Sequence, residues 1–193
     1  MHHSHMNIVI ALTAYALASI LTRTVHSKTL PIGMMDYLDD RFELHLMLVA
    51  KRMNKIYFSK LQKMAKNYKN IYFLDPVPYD NIVEFSNKFD VGLIFFPPSN
   101  LNLKYCLPNK FFEFLQSRLC IATSPLEEIE KYVKKYDLGV VSRTFDPFEM
   151  AQSLNKLSKS DIMKYKIQCD KNAYKLSSNT NQKKILNIVD SLI

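Results

Sequence analysis

Asp90-Val91-Gly92-Leu93-Ile94-Phe95-Phe96-Pro97-Pro98 leads through Ser99 to Leu107 into Pro108-Asn109-Lys110-Phe111-Phe112-Glu113-Phe114-Leu115-Gln116-Ser117, and then into Leu119-Cys120-Ile121-Ala122-Thr123. The outer pieces are short, unbroken apolar runs. A strand with one face in water alternates apolar and polar residues, whereas a strand covered on both faces does not. Pro97 and Pro98 end the first run, because proline has no N–H to give to a ladder. The middle piece opens on Pro108, and proline is favoured in the first turn of a helix. Strand, polar loop, helix and strand together make the repeating unit of a parallel sheet.

The same alternation extends in both directions. Asn7 to Thr22 is uncharged and reads as a buried strand. It is short for a membrane span, which needs about 20 residues, and it lacks a basic leader. A membrane anchor is the alternative. Glu43 to Val49 and Asn70 to Leu74 read as further strands. Between them Tyr57, Leu61, Met64, Ala65 and Tyr68 form one apolar stripe on a helix over 54–68. Asp80 is a cap for a short helix reaching Lys88. Leu126 to Lys135 reads as a helix with its acids first and its bases last, as the macrodipole prefers. Leu138 to Val141 is a last short strand. Three helices follow, near 147–158, 160–176 and 180–192, with Ser160 or Asp161 and Thr180 as caps. The expected fold is a doubly wound α/β domain, Rossmann-like, with helices on both faces of a parallel sheet. Residues 1–6 look like a tag, and 7–193 read as one domain whose C-terminal helices occupy 147–192.

Composition narrows the function. The chain has 193 residues and only three glycines, Gly33, Gly92 and Gly139. Neither a clustered G-x-G-x-x-G turn nor a P-loop can be built from them, so a phosphate must be held by other means. There is no G-x-S-x-G elbow. The net charge is +8, from 26 Lys and Arg against 18 Asp and Glu, which suits an anionic partner. The basic residues are scattered as on solvated helix faces. Cys106, Cys120 and Cys169 show no metal or disulfide spacing and fit a reducing cytosol. His45 lies within a strand and reads as a core or edge residue. His26, in a Thr-Val-His-Ser-Lys loop, is within reach of a ligand.

The helix start at Pro108-Asn109-Lys110 is the most chemically suggestive point. Backbone amides there, with Lys104 and Lys110, make an anion site that needs no glycine. Glu113, one turn in, can accept two hydrogen bonds from a vicinal diol such as a ribose offers.

These residues resemble the nucleotide-sugar-binding half of GT-B glycosyltransferases of the retaining, family-4 type. The likeness rests on Asp90-Val91-Gly92-Leu93, on Pro108-Asn109-Lys110-Phe111-Phe112-Glu113-Phe114, on Cys120 to Ser124, and on Asn70 to Pro78. It covers about residues 40–192. The resemblance implies that Glu113 binds the donor ribose. It implies that Tyr105, Leu107, Pro108, Asn109 and Lys110 lie along the diphosphate and transferred sugar. It places Pro76 and Val77 at the nucleobase, and gives Arg23 and Lys28 the task of neutralising the leaving diphosphate, with no metal and no cofactor. Three departures stand out. Tyr105 occupies the place of a second Glu, Arg118-Leu119-Cys120 replaces Gly-(Leu/Ile)-Pro, and Asp75 replaces Gly. The amino-terminal acceptor half of such enzymes is missing, so the chain is expected to work with a partner domain or subunit.

The expected function is donor binding in sugar transfer to a glycan or a lipid-linked acceptor, as in polysaccharide biosynthesis. A non-catalytic or split-subunit module of the same fold is the first alternative. The second is an unrelated doubly wound protein that binds RNA through its basic helices. Nucleic acid is not the expected partner. The expected location is cytoplasmic, with a peripheral contact at the inner face of the membrane left open by the basic surface.

Overall fold

The computed structural model describes residues 6–12, 31–48, 55–98 and 100–191. Six strands form one sheet: β1 (Met6–Leu12), β2 (Phe42–Leu48), β3 (Ile71–Leu74), β4 (Val91–Ile94), β5 (Cys120–Thr123) and β6 (Gly139–Val141). Their spatial order is β3-β2-β1-β4-β5-β6, and all neighbours are parallel. Ile8 lies opposite both Leu44 and Val91, Leu44 opposite Ile71, Val91 opposite Cys120, and Ile121 opposite Gly139. The chain winds outward from β1 to β3, returns to β1's other side, and winds out again to β6. That reversal between β1 and β4 is the switch point at which doubly wound sheets bind ligands.

The helices are α1 (Lys55–Ala65), α2 (Ile82–Ser86), α3 (Leu101–Tyr105), α4 (Asn109–Gln116), α5 (Glu127–Tyr136), α6 (Pro147–Asn155), α7 (Lys159–Ala173) and α8 (Ser178–Asp190). Short 3-10 helices occupy Pro31–Asp36 and Tyr79–Asn81. Side chains alternate across each strand and so supply two cores. On one face Leu44, Leu46, Val91, Leu93, Cys120 and Ala122 pack against Leu61 of α1 and Met150, Ala151 and Leu154 of α6. On the other, Met47, Ile94 and Ile121 pack against Phe111, Phe114 and Leu115 of α4 and Ile129 and Val133 of α5. All four residues of β4 and of β5 are buried, as their unbroken apolar runs require.

Gly92 sets how close α4 lies to the sheet. A Cβ added there would sit 2.4 Å from Cγ of Phe114, well inside van der Waals contact. Gly139 answers a similar demand at the sheet edge, where an added Cβ would meet the Ile121 carbonyl oxygen at 1.9 Å.

α7 joins the two layers. Its Ile162 belongs to the first core and its Cys169 to the second. Lys166 Nζ donates to the Phe89 carbonyl at 2.7 Å, and the Cys169 thiol donates to the Leu119 carbonyl at 2.9 Å. The helix therefore runs past the points where the chain enters β4 and β5. Burial pushes the Cys169 thiol up to about 12, so it acts as an apolar filler with a weak donor.

Several local expectations are corrected. Asp80 is not a cap; it lies inside the 3-10 turn, and Asn81 precedes α2 without a side-chain cap bond. Ser158, rather than Ser160 or Asp161, caps α7. Its hydroxyl accepts from the Asp161 N–H at 3.1 Å while the Asp161 carboxylate accepts from the Ser158 N–H at 2.9 Å, which makes a capping box. Ser177 caps α8, and Thr180 is the donor it satisfies. The loop 99–107 holds α3, which Asn100 caps by accepting from the Leu103 N–H at 2.8 Å.

Candidate functional site

The site is built around α4. Its buried face, Phe111, Phe114 and Leu115, faces the sheet. Residues 109, 112, 113 and 116 then fall together on a side face by helical periodicity. These four line a pocket of about 460 Å³. Tyr79 and Val83 close it on the side of α2, and Leu176, Ser177 and Ser178, the turn between α7 and α8, close it on the other.

Glu113 is buried, with its side chain only 11% exposed, and Lys110 Nζ donates to its Oε2. The lysine is equally sheltered, at 12%. This pairing answers a cost: a carboxylate out of water must be matched by charge or hydrogen bonds. A carboxylate offers about four lone-pair sites, so the bond to Lys110 leaves acceptor capacity directed at the pocket. Lys110, expected beside an anion, is paired with Glu113 in this structure. Its ammonium contacts Glu113 and holds that side chain in place.

Pro108 is the N-cap residue of α4 and offers no side-chain acceptor to the first-turn amides. The position keeps its capacity to face an anion. Asn109 follows at the pocket rim. Leu107 is half-buried against the second core, while Tyr105, at the end of α3, is 47% exposed. Lys104 Nζ lies 5.0 Å from the centre of the Tyr105 ring. Its hydrogen bond to Tyr105 raises its pKa, so it is a cation at neutral pH.

Val77 packs against the second core and Pro76 is exposed; neither lines the pocket, but Tyr79, two residues beyond Val77, does. Arg23, Lys28 and His26 lie outside the described residues. His45 is stacked on Tyr72 at 4.9 Å, on the outer half of the sheet, with Nε2 3.3 Å from Glu43 Oε2. Among the described residues, no three His, Cys, Asp or Glu side chains gather as a metal site, and no helix is long and apolar enough to cross a membrane.

Of the residues singled out from the sequence, Asn109 and Glu113 line the pocket; Phe112 and Gln116 also line it and were missed, although the 3.6-residue period of α4 already places them alongside. Leu176, Ser177 and Ser178 were missed as well. These reach the pocket only because α7 runs past the entries to β4 and β5, and no local signal carries that.

Fold and pocket together define a doubly wound α/β domain with a pocket beside α4. No protein-family model and no curated sequence matches the chain. Solved structures do match. Anabaena Alr3699/HepE, in complex with UDP and glucose, superposes with a TM-score of 0.72 at 10% identity, over 97% of this chain and 49% of that one. A Thermobaculum terrenum O-GlcNAc transferase mutant gives 0.67 at 15% identity, over 97% of this chain and 35% of that one. WaaG, a glycosyltransferase involved in lipopolysaccharide biosynthesis, gives 0.61 at 12% identity, over 90% and 44%. The chain thus has the fold of one half of a GT-B glycosyltransferase, and it spans half or less of the length of the structures it matches.

Proposed function

We propose that this chain binds a nucleotide-sugar donor as the donor half of a retaining glycosyltransferase, whose acceptor is a glycan or a lipid-linked sugar held by a second domain. The observation that carries the reading is Glu113, a carboxylate held by Lys110 on the first turns of α4 at a pocket able to take a nucleoside. In this reading the carboxylate accepts both ribose hydroxyls. The amides at Asn109 and Lys110 face the diphosphate, and Pro76 and Val77 border the nucleobase. Arg23 and Lys28 meet the charge that grows on the leaving diphosphate, which lowers the barrier by electrostatic stabilisation and requires no metal.

The second domain would cover α8. Ile185, Leu186 and Ile188 on that helix are 61, 53 and 60% exposed, an apolar surface that a partner buries. The enzyme would act in the cytoplasm, against the inner face of a membrane where the acceptor is lipid-linked. Tyr105, exposed where the resemblance has a second Glu, favours a second reading: a donor-binding module that does not itself turn over.

Titration calorimetry with UDP-, GDP- and ADP-sugars tests the reading, with Glu113→Gln beside the wild type. Charge-assisted hydrogen bonds contribute about 1.5–3 kcal/mol, so the variant should bind its donor roughly 10–100-fold more weakly. Equal affinity in the two proteins would refute the ribose role.

A further inference from the structure

α7 is apolar on two sides. Its inner side, with Ile162, Cys169 and Ala173, is buried. Met163, Ile167 and Tyr174, at i, i+4 and i+11, share the outer side and are 55, 48 and 72% exposed. They make a stripe roughly 16 Å long. Lysines border it. Residues 159–175 hold five Lys against two Asp and no Glu, in a chain whose net charge is +8. By helical periodicity Lys164, Lys171 and Lys175 fall together along one flank of the stripe. Lys135 of α5 joins them, since Lys135 Nζ and Lys175 Nζ lie 5.4 and 5.2 Å from the centre of the same Tyr136 ring. The acids of this surface are already matched: Asp137 Oδ2 lies 2.8 Å from Lys164 Nζ, and Asp170 Oδ1 lies 2.9 Å from Arg118 Nε. Among the described residues no carboxylate pairs with Lys135, Lys171 or Lys175.

We infer that the outer side of α7 docks on an anionic lipid bilayer, with Met163, Ile167 and Tyr174 entering the headgroup layer and Lys135, Lys171 and Lys175 meeting lipid phosphates. The inference rests on the membrane-facing part of the reading above and not on donor binding. Another protein is a poorer occupant. A stable protein interface takes about 800 Å² from each partner and keeps lysine out of its centre. Here a single row of three side chains runs directly beside lysines. A bilayer surface suits that arrangement. Apolar groups enter it shallowly, and a tyrosine places its ring below and its hydroxyl among the headgroups. Long lysine stems lie along the apolar layer while their ammonium groups stay with the phosphates. Each lysine at such a surface strengthens binding to anionic lipid by about fivefold.

The test is flotation of the 193-residue chain with vesicles of phosphatidylcholine alone, or of phosphatidylcholine and phosphatidylglycerol in equal parts. The wild type is expected to bind the mixed vesicles at least about 30-fold more tightly, and to be released as salt rises from roughly 0.1 to 0.5 M. Lys171→Gln with Lys175→Gln should weaken binding to the mixed vesicles by roughly 10–30-fold. Ile167→Ser should weaken it by roughly 3–10-fold, since about half of that side chain is open to the lipid. Ile185→Ser with Ile188→Ser, on α8, should leave it within about twofold. All these positions are exposed, and circular dichroism confirms that each variant is folded. The wild-type comparison of the two vesicles needs no variant. Equal binding to both vesicles, binding to neither, or binding lost in the α8 variant and kept in the lysine variant would overturn the assignment of α7. Self-association that Ile167→Ser abolishes would give the stripe to a second copy and overturn it too. Nucleotide titration is a separate measurement, so the donor reading stands or falls by itself.

Discussion

Replacing Gly92 by alanine should loosen the one contact that sets the height of α4 above the sheet. The new methyl would sit 2.4 and 2.6 Å from Cγ and Cδ2 of Phe114 and 2.9 Å from its Cβ. Phe114 is 1% exposed and has no free space to turn into. Overpacking of this kind costs about 1–3 kcal/mol. Removing glycine's excess freedom from the unfolded chain returns about 0.4–1 kcal/mol. The net loss is therefore about 1–2 kcal/mol. For a chain of this length that is a fall of roughly 2–8 °C in melting temperature. Urea denaturation followed by circular dichroism gives the free energy directly. The control is the same substitution made beside Phe114→Ala, which removes both ring atoms. There only the 2.9 Å contact to the residue-114 Cβ remains, so Gly92→Ala should cost roughly 1 kcal/mol less than in the wild type, a coupling of that size between the two sites. Because α4 carries Glu113, nucleotide affinity should fall in the single variant as well. An equal penalty with and without the Phe114 ring would refute the argument that Gly92 fixes the approach of α4.

Two further predictions concern the backbone and pH. Arg118 has φ of 57°, the left-handed region, and its Nε is 2.9 Å from Asp170 Oδ1. Arg118→Gly and Arg118→Ala lose the same ion pair, so the glycine variant should be the more stable of the two by about 1 kcal/mol in chemical denaturation; equal stabilities would refute backbone strain at this position. His45 has its pKa lowered, chiefly by burial, against a smaller opposing pull from Glu43. The unfolded chain therefore takes up the proton first, so stability should be constant above about pH 6.5 and fall as pH drops below it. His45→Gln should flatten that slope in urea midpoints taken at pH 7.5 and 5.5, and a slope unchanged in the variant would assign it to other groups.

The sheet was legible because it is parallel and covered on both faces. Its strands are unbroken apolar runs, and prolines mark where β3 and β4 stop. Less legible were elements whose signals are local but weak. Asn100-Leu101-Asn102-Leu103 is a capped helical turn that reads equally well as a polar loop. In Ser158-Lys159-Ser160-Asp161 three residues compete for the cap, and the box formed with Asp161 decides for Ser158. The Lys110–Glu113 pair is visible in principle from its i, i+3 spacing. The sequence alone suggests two separate tasks for it, because burial, which forces the pairing, does not show there. The side of the pocket formed by the α7–α8 turn was beyond reach, since Gln116 meets Ala173 only through the path of α7.

That path has a consequence for how the protein is made. While residues up to about 158 are leaving the ribosome, each layer can begin to gather on its own face of the sheet. Neither is sealed, because Ile162 and Cys169 have yet to arrive. The entrances to β4 and β5 stay exposed until Lys166 and Cys169 reach the Phe89 and Leu119 carbonyls. Synthesis therefore passes through a stage in which a nearly whole sheet is present but not yet closed, the kind of species that aggregates or is held by chaperones. One fifteen-residue helix, made late, converts it into a finished domain.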